Sequence, residues 1–365
     1  MAEIDDLFER LDKFNGSDLH LRCGIPPMVR VHGTMMPLKS QPLNADQVKS
    51  MILEIMPPDA MKVFEETMDV DFSHSLPSGK RLRCNVFMEQ DGISATYRLI
   101  PSEVPTAKST YLTPSILKFC EHSKGLVLVT GPTGSGKSTT MAAMIDHVNS
   151  NRKQHIITIE DPLEFIHPNK KCLVTQREVK THTQSFASAL RAALREDPDV
   201  VLVGELRDLE TTMIAIETAE TGHLVFGTLH TTTAASTIDR IIDQFPADQE
   251  QQVRTMLSSG LMGVVSQILL HKEDGMGMVA AREVMHVTPA IRALIRDKKT
   301  FQINSEIETG SSIGMIGLNE AIFRYLQAGL IKPEEAIYKC IDKEDMRRRI
   351  KTLPVKQAAF PSVTQ

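Results

Sequence analysis

The sequence lacks several features that would mark other classes of protein. It has no tryptophan and four tyrosines in 365 residues, which disfavours a surface built to stack on nucleic-acid bases. Its formal net charge of −5 also argues against a free-standing nucleic-acid binder, since such proteins carry basic surfaces. No run approaches the roughly 18–20 consecutive apolar residues that span a bilayer. We therefore expect no nucleic-acid partner and no membrane span.

Cysteine is scarce, and its spacing carries no pattern. The five cysteines never form a C-x-x-C pair; they are Cys23, Cys84, Cys120, Cys172 and Cys340. Scattered cysteines in odd number are typical of reduced thiols in the cytoplasm and argue against a zinc site. The first residues, MAEIDDLFERLD, are acidic and amphipathic, unlike a secretory signal peptide. We expect a cytoplasmic protein.

The sequence does contain a phosphate-loop pattern after a short apolar run. Residues 126–129 predict a strand buried on both faces, and GPTGSGKS at 131–138 matches G-x-x-x-x-G-K-[ST] at each fixed position. The glycines let successive backbone N–H groups face an anion, and a helix starting near Gly136 adds its positive end. The predicted nucleotide-binding residues are Gly131, Pro132, Thr133, Gly134, Ser135, Gly136, Lys137, Ser138 and Thr139.

Other residues are suited to bind the metal and to activate the attacking water. Lys137 is suited to reach the β- and γ-phosphates, and the Ser138 hydroxyl to ligate Mg²⁺. The apolar run 200–203 ends in Gly204-Glu205, so the aspartate that usually holds the metal at the first of these positions is missing. We expect Mg²⁺ on Ser138, phosphate oxygens and water, with Glu164 as a candidate further ligand. Glu205 is the candidate base for the attacking water.

Other polar residues are further candidates for the site, and some of them have two interpretations. A hairpin about Asp91-Gly92 places Arg83 and Arg98 on one face, displaced by one diagonal pair, either as solvated arginines or as an anion site. A helix over 185–196 puts Arg191 and Arg195 on one stripe. His230 ends the apolar run 223–229 and is either structural or a γ-phosphate sensor.

The pattern of elements predicts an α/β protein of two main parts. Residues 1–100 form a small α+β domain, and the Pro-, Ser- and Thr-rich segment 101–113 is a linker. The ATPase core occupies 114–270. Beyond Pro246 the pattern becomes helical, and a long amphipathic segment is predicted to reach Val264. A helical part follows at 271–350, in which Arg292 and Arg296 face outward, and 351–365 is a flexible tail.

With these motifs in place, the chain resembles the secretion-ATPase superfamily and, within it, the type IV pilus retraction ATPases. The resemblance covers roughly residues 1–345. It rests on GPTGSGKST at 131–139, IEDPLEF at 159–165, ALRAALREDPD at 189–199, VGELRD at 203–208, ETGHLVFGTLHT at 220–231 and TIDRIIDQFP at 237–246. The segment AIRALIRD at 290–297 departs from the typical AIRNLIRE at Ala293 and Asp297.

The resemblance implies a fold, an activity and partners. It implies a PAS-like amino-terminal domain, a RecA-like ATPase core and a homohexamer in which the small domain of one subunit docks on its neighbour. Arg83 and Arg98 match arginines that meet nucleotide phosphates from that domain, and Arg191 and Arg195 match arginines near the catalytic glutamate, which Glu205 matches. His223 and His230 match the histidine box of the family.

The implied function is ATP- and Mg²⁺-dependent retraction of the pilus, at the cytoplasmic face of the inner membrane. The implied partners are an inner-membrane pilus platform protein and a paralogous retraction ATPase. The alternatives are an accessory retraction ATPase, a related secretion or DNA-transport ATPase, and a scaffold that binds nucleotide without hydrolysing it.

Overall fold

The computed structural model describes residues 3–14, 16–31, 34–100, 103–275 and 277–353. The chain divides into two compact units, the first ending at Glu103 and the second beginning at Val104. Pro101 and Ser102 of the predicted linker, and residues 354–365 of the predicted tail, lie outside the described residues.

The described part of the first unit forms a six-stranded antiparallel sheet in the order β3-β2-β1-β6-β5-β4. Its elements are α1 (Glu3–Lys13), β1 (Gly16–Leu21), β2 (Met28–Val31), β3 (Thr34–Pro37), α2 (Ala45–Ile55), α3 (Pro58–Thr67), β4 (Asp69–Ser75), β5 (Arg81–Glu89) and β6 (Gly92–Ile100). Strand β5 alternates buried Leu82, Cys84 and Val86 with more exposed residues, so one sheet face is apolar. Phe8 of α1 packs edge-on against Tyr97 of that face.

The predicted hairpin is present, but its register differs from the prediction. Glu89 pairs with Gly92, so the connecting loop is Gln90-Asp91 rather than Asp91-Gly92. Loop length fixes hairpin register, and the shift brings Arg83 directly opposite Arg98 instead of diagonal to it. Strands β3 and β4 were not predicted.

The second unit is built on a seven-stranded sheet among the described residues, in the order β13-β12-β7-β11-β10-β8-β9. Its strands are β7 (Gly125–Thr130), β8 (His155–Glu160), β9 (Leu173–Glu178), β10 (Val200–Val203), β11 (Leu224–Leu229), β12 (Leu261–His271) and β13 (Met278–His286). Neighbours run parallel except β12 and β13, which form an antiparallel hairpin. The fold is therefore α/β with a mixed sheet.

Helices cover both faces of this sheet. They are α4 (Pro114–Leu117), α5 (Lys137–Asn151), α6 (Phe186–Ala193), α7 (Leu209–Glu220), α8 (Ala234–Ile242), α9 (Glu250–Gly260), α10 (Pro289–Arg296), α11 (Ile303–Thr309), α12 (Leu318–Gln327), α13 (Pro333–Lys339) and α14 (Lys343–Lys351). Leu126 and Leu128 of β7 pack in one apolar cluster, and Val127 and Val129 in another. This two-sided burial explains the unbroken apolar run that begins at Leu126.

Two predicted helices end earlier than expected. The helical segment predicted to reach Val264 is wrong, because α9 stops at Gly260 and Val264 lies in β12. Helix α6 ends at Ala193, so Arg195 lies in the following turn and not on a helical stripe with Arg191. Strand β9 was not predicted, and residues 271–350 contribute β13 as well as helices.

Within the described residues, no helix combines the length and the apolar character needed to cross a membrane.

Candidate active site

The phosphate loop joins the carboxyl end of β7 to the amino end of α5. Gly131, Gly134 and Gly136 all have positive φ angles, of 146°, 77° and 83°. A Cβ atom at position 131 would lie 2.2 Å from the backbone oxygen of Gln267, so the loop fits against β12 only with glycine there. Glycine at position 131 is thus required by both backbone conformation and space, whereas positions 134 and 136 favour glycine through their positive φ angles.

The first turn of α5 has the form of an anion site. Gly136 is the N-cap residue, and no side chain among the described residues caps it. The amides of the first turn are therefore available to an anionic ligand, and the helix dipole favours negative charge there. Ser138 is half-buried and Thr139 exposed in this turn.

Lys137 contacts the loop and the neighbouring strand end. Its Nζ donates to the backbone oxygen of Gly131 at 2.8 Å and to that of Pro132 at 3.2 Å. It also lies 3.4 Å from Nδ1 of His230. Burial lowers the pKa of Lys137, whereas the carboxylates of Glu205 and Glu164 act in the opposite direction. The amine thus lies within electrostatic range of both acids.

Glu205 lies two strands away from the loop, at the carboxyl end of β10, and His230 connects the two. The Nε2 atom of His230 is 3.1 Å from Oε1 of Glu205. Arg207 holds the other carboxylate oxygen, with Nε 2.7 Å from Oε2. The structure therefore brings Lys137, His230 and Glu205 into one connected group, to which Arg207 adds a contact that the sequence did not predict.

The last residue of β8, Glu160, and the acidic segment after it carry carboxyl groups with different surroundings. Burial raises the pKa of Glu160 to about 7, although Thr158 donates to its Oε1 at 2.8 Å. Glu164 is exposed. In the described residues, no three His, Cys, Asp or Glu side chains form a metal site by themselves. A Mg²⁺ ion bound beside the loop would therefore take most of its ligands from phosphate and water oxygens.

Arg191 and Arg195, predicted to act together, have different surroundings. Arg191 forms an ion pair with Glu210 in the first turn of α7. Arg195 is exposed in the turn after α6.

Arg83 and Arg98 lie opposite each other on the polar face of the first unit. Arg98 Nε donates to Oδ1 of Asp18 at 2.7 Å, and Arg83 Nε lies 3.8 Å from Oδ1 of Asp71. Asp18 is buried, while the side chain of Arg98 is 65% exposed. Each arginine thus has a partly neutralising acid and free donors.

His223 and Arg292 have structural contacts. His223 precedes β11, at the opposite end from His230, and its Nδ1 lies 3.1 Å from the backbone oxygen of Thr218. Arg292, predicted to face outward, donates from Nη1 to the backbone oxygens of Ser258 and Ser259, at 2.7 Å each. It therefore caps the carboxyl end of α9.

A glycine-rich loop at the end of one parallel strand, connected to a glutamate at the end of another, defines a phosphate-loop nucleotide hydrolase. Comparison with known proteins identifies the family within this class.

Residues 107–310 match the family model described as Type II/IV secretion system protein. The chain is 51% identical over 334 residues to the type IV pilus retraction ATPase PilT of Pseudomonas aeruginosa, covering 92% of this chain and 97% of that protein. It is 36% identical over 349 residues to the type IV pilus ATPase PilU of the same organism, covering 96% of this chain and 91% of that protein. A crystal structure of the pilus retraction motor PilT with bound ADP has a TM-score of 0.89 and 44% identity, covering 95% of this chain and 100% of that one.

The chain belongs to the type II/IV secretion system protein family, in the branch of pilus retraction ATPases that includes PilT. It is an ATP-hydrolysing enzyme.

Proposed function

We propose that this enzyme uses ATP and Mg²⁺ to power retraction of type IV pili. The observation that carries the proposal is the connected group formed by Lys137 on the phosphate loop, His230 and Glu205. The identity to PilT, 51% against 36% to PilU, supports a retraction motor over an accessory ATPase.

The loop residues would bind the phosphates and help to hold the metal. The backbone N–H groups of the loop 131–139, except at Pro132, and Nζ of Lys137 would donate to the nucleotide phosphates, while Ser138 and Glu164 are the proposed Mg²⁺ ligands. Bound Mg²⁺ would neutralise charge on the phosphate oxygens.

Glu205 would act as the base for the attacking water. Its carboxylate orients the water and accepts a proton as the oxygen bonds to the γ-phosphorus and the bond to the ADP oxygen breaks. His230 is proposed to keep that carboxylate oriented toward the loop. Arg191 and Arg195 are proposed to neutralise charge that develops on the phosphoryl group.

The first unit would complete the site of a neighbouring subunit in a homohexamer. We propose that it is a PAS-like domain, that 101–113 is a linker, and that Arg83 and Arg98 reach the phosphates of the adjacent RecA-like core. Two arginines with free donors on an exposed sheet face support this assignment. Nucleotide bound between subunits would favour one domain arrangement over another, which is the basis of a motor.

We place the motor at the cytoplasmic face of the inner membrane, acting on a pilus platform protein there, with a paralogous ATPase as a further partner. Nucleic acid is not a proposed partner, and the net charge of −5 supports that view.

Phosphate release by the purified full-length chain tests the activity, with and without Mg²⁺ and single-stranded DNA. We expect Mg²⁺-dependent hydrolysis that DNA does not stimulate. Deleting the gene should leave cells that assemble pili but fail to retract them, seen as excess surface pili and lost twitching. Normal retraction in the deletion strain would overturn the motor assignment, and DNA-stimulated hydrolysis would favour DNA transport.

A further inference from the structure

Strand β12 extends beyond β7 and forms a wall behind the phosphate loop. The last pair between the two strands joins Ser266 to Thr130, where β7 ends. Strand β12 continues to His271, so its next residue, Gln267, lies beside the loop instead of beside a strand. Its backbone oxygen is the atom that a side chain at position 131 would strike.

The side chain of Gln267 is buried, 1% exposed, and holds two elements of the site. Its Nε2 donates to the backbone oxygen of Ser135 at 2.6 Å. Its Oε1 accepts from the hydroxyl of Thr140 in α5 at 2.8 Å. One amide group therefore connects the phosphate loop with the helix that follows it.

The bond to Ser135 has a consequence for the next residue. A trans peptide is planar, so its C=O and N–H point in opposite directions. Holding the oxygen of Ser135 against Gln267 therefore points the N–H of Gly136 away from β12, toward the open side of the loop. Gly136 is the N-cap of α5, where an anion would bind.

Arg282 supports Gln267 from the adjacent strand. The two residues are directly paired between β12 and β13, so their side chains share a face. Arg282 Nε lies 3.4 Å from Oε1 of Gln267, and Nη2 lies 3.2 Å from the Thr140 hydroxyl. Nη2 also donates to the backbone oxygen of Thr110 at 3.1 Å, in the segment that begins the second unit.

Burying a cation costs free energy, and hydrogen bonds to neutral acceptors offset that cost only in part. Arg282 is 9% exposed, and the acceptors named above are amide, hydroxyl and carbonyl oxygens. Its positive charge lies behind a loop that would bind phosphate, where it favours an anion.

We propose that Gln267 and Arg282 are positioning residues that keep the phosphate loop in its phosphate-binding conformation, an inference that rests on the proposed nucleotide site. Gln267 orients the N–H group of Gly136 toward the open side of the loop. Arg282 holds Gln267 and the segment around Thr110 in place.

Gln267→Glu is the sharpest test, because it keeps size and acceptor but removes the donor. The new carboxylate would pair with Arg282, so we expect an unchanged or higher melting temperature. It would repel the oxygen of Ser135, so the Kd for a fluorescent ADP analogue with Mg²⁺ should rise about tenfold or more. The KM for ATP should rise likewise, with kcat changing less, as expected for lost ground-state binding.

Gln267→Met removes donor and acceptor together and should also weaken ADP binding. Gln252→Met, the same substitution at an exposed position of α9, is the matched control and should leave affinity unchanged. Arg282→Met should weaken binding less than Gln267→Met. The Kd of the double variant should rise by less than the product of the two single fold-changes, since one residue acts through the other.

The outcomes separate the inference from the proposed function. If the unmodified chain neither binds ADP nor hydrolyses ATP, the proposed function fails. If it does both, but Gln267→Glu and Gln267→Met bind ADP with unchanged Kd, the positioning role is wrong. A loss of affinity that merely parallels a loss of melting temperature in all variants would also contradict it.

Discussion

His230 lies between Lys137 and Glu205, with Nδ1 3.4 Å from the lysine Nζ and Nε2 3.1 Å from Oε1 of the glutamate. An ammonium group is only a donor, so Nδ1 must accept, and the proton of the neutral ring belongs on Nε2, where it is donated to Glu205. One tautomer therefore satisfies both contacts. His230, for which the sequence allowed either a structural or a phosphate-sensing role, thus connects the proposed phosphate and water sites.

We predict that His230→Ala lowers kcat by about tenfold or more, because Glu205 loses a donor that orients it. The change in ADP affinity should be smaller. His223→Ala is the matched control at the other end of β11, and it should keep kcat while lowering the melting temperature slightly. Steady-state ATPase assays and ADP titration measure both. Equal losses of kcat in the two variants would argue against a specific role for His230.

We predict that Glu205→Gln binds ATP with near-normal affinity but hydrolyses it at least about 10²-fold more slowly, as expected when a positioned base is removed. The amide still fills the space, and its one oxygen can still accept from either His230 or Arg207, which contact different carboxylate oxygens of Glu205. ATP binding and single-turnover phosphate release are the measurements. Hydrolysis within a fewfold of the unmodified enzyme would exclude Glu205 as the base.

We predict that Arg98→Ala lowers ATPase activity at least about tenfold in the assembled ring only, since its donors would act on the site of a neighbour. Arg22→Ala, which removes a surface arginine paired with Glu89 and Asp91 of the same unit, is the control. Activity is measured across a dilution series with the oligomeric state followed by light scattering. The same fractional loss in dispersed subunits would contradict a role across the interface.

We predict that Glu160→Gln changes the pH dependence of stability. The folded chain holds the Glu160 proton more tightly, with a pKa of about 7 against an ordinary 4.5. Its contribution to stability is therefore lost as pH rises through this interval, by up to about 3 kcal/mol in total. The free energy of unfolding of the glutamine variant should therefore rise, relative to that of the unmodified chain, between about pH 5 and about pH 8.

Urea unfolding followed by circular dichroism at the two pH values measures this gain. Glu217→Gln, at an exposed position of α7, is the control and should shift stability equally at both values. A Glu160→Gln difference that does not depend on pH would show that the carboxyl is ionised throughout.

Local sequence was sufficient to predict the central part of the candidate site. The phosphate loop lies between a strand and a helix that are adjacent in the chain, so its glycines, Lys137 and Ser138 could be recognised from spacing alone. Glu205 was predicted for the same reason, because it follows a fully apolar strand.

The contacts that hold this site together could not be predicted in the same way. Gln267 and Ser135 are separated by 132 positions, and their contact depends on β12 pairing with β7. The apolar residues after Gly260 fit a helical period as well as a strand, so the sequence alone predicted the wrong element there. Had a strand been predicted for 261–271, Gln267 would have been expected beside the phosphate loop.

The hairpin of β12 and β13 limits how the chain can be shortened. The boundary drawn from sequence between residues 270 and 271 falls inside it, since His271 pairs with Met278 and Gly263 with His286. A fragment ending at 270 would leave β12 as an exposed edge, with a row of unsatisfied backbone donors and acceptors that invites another chain to add a strand. An ATPase fragment suited to biophysical work must therefore retain the residues through β13, even though they belong to the part of the sequence that is otherwise helical.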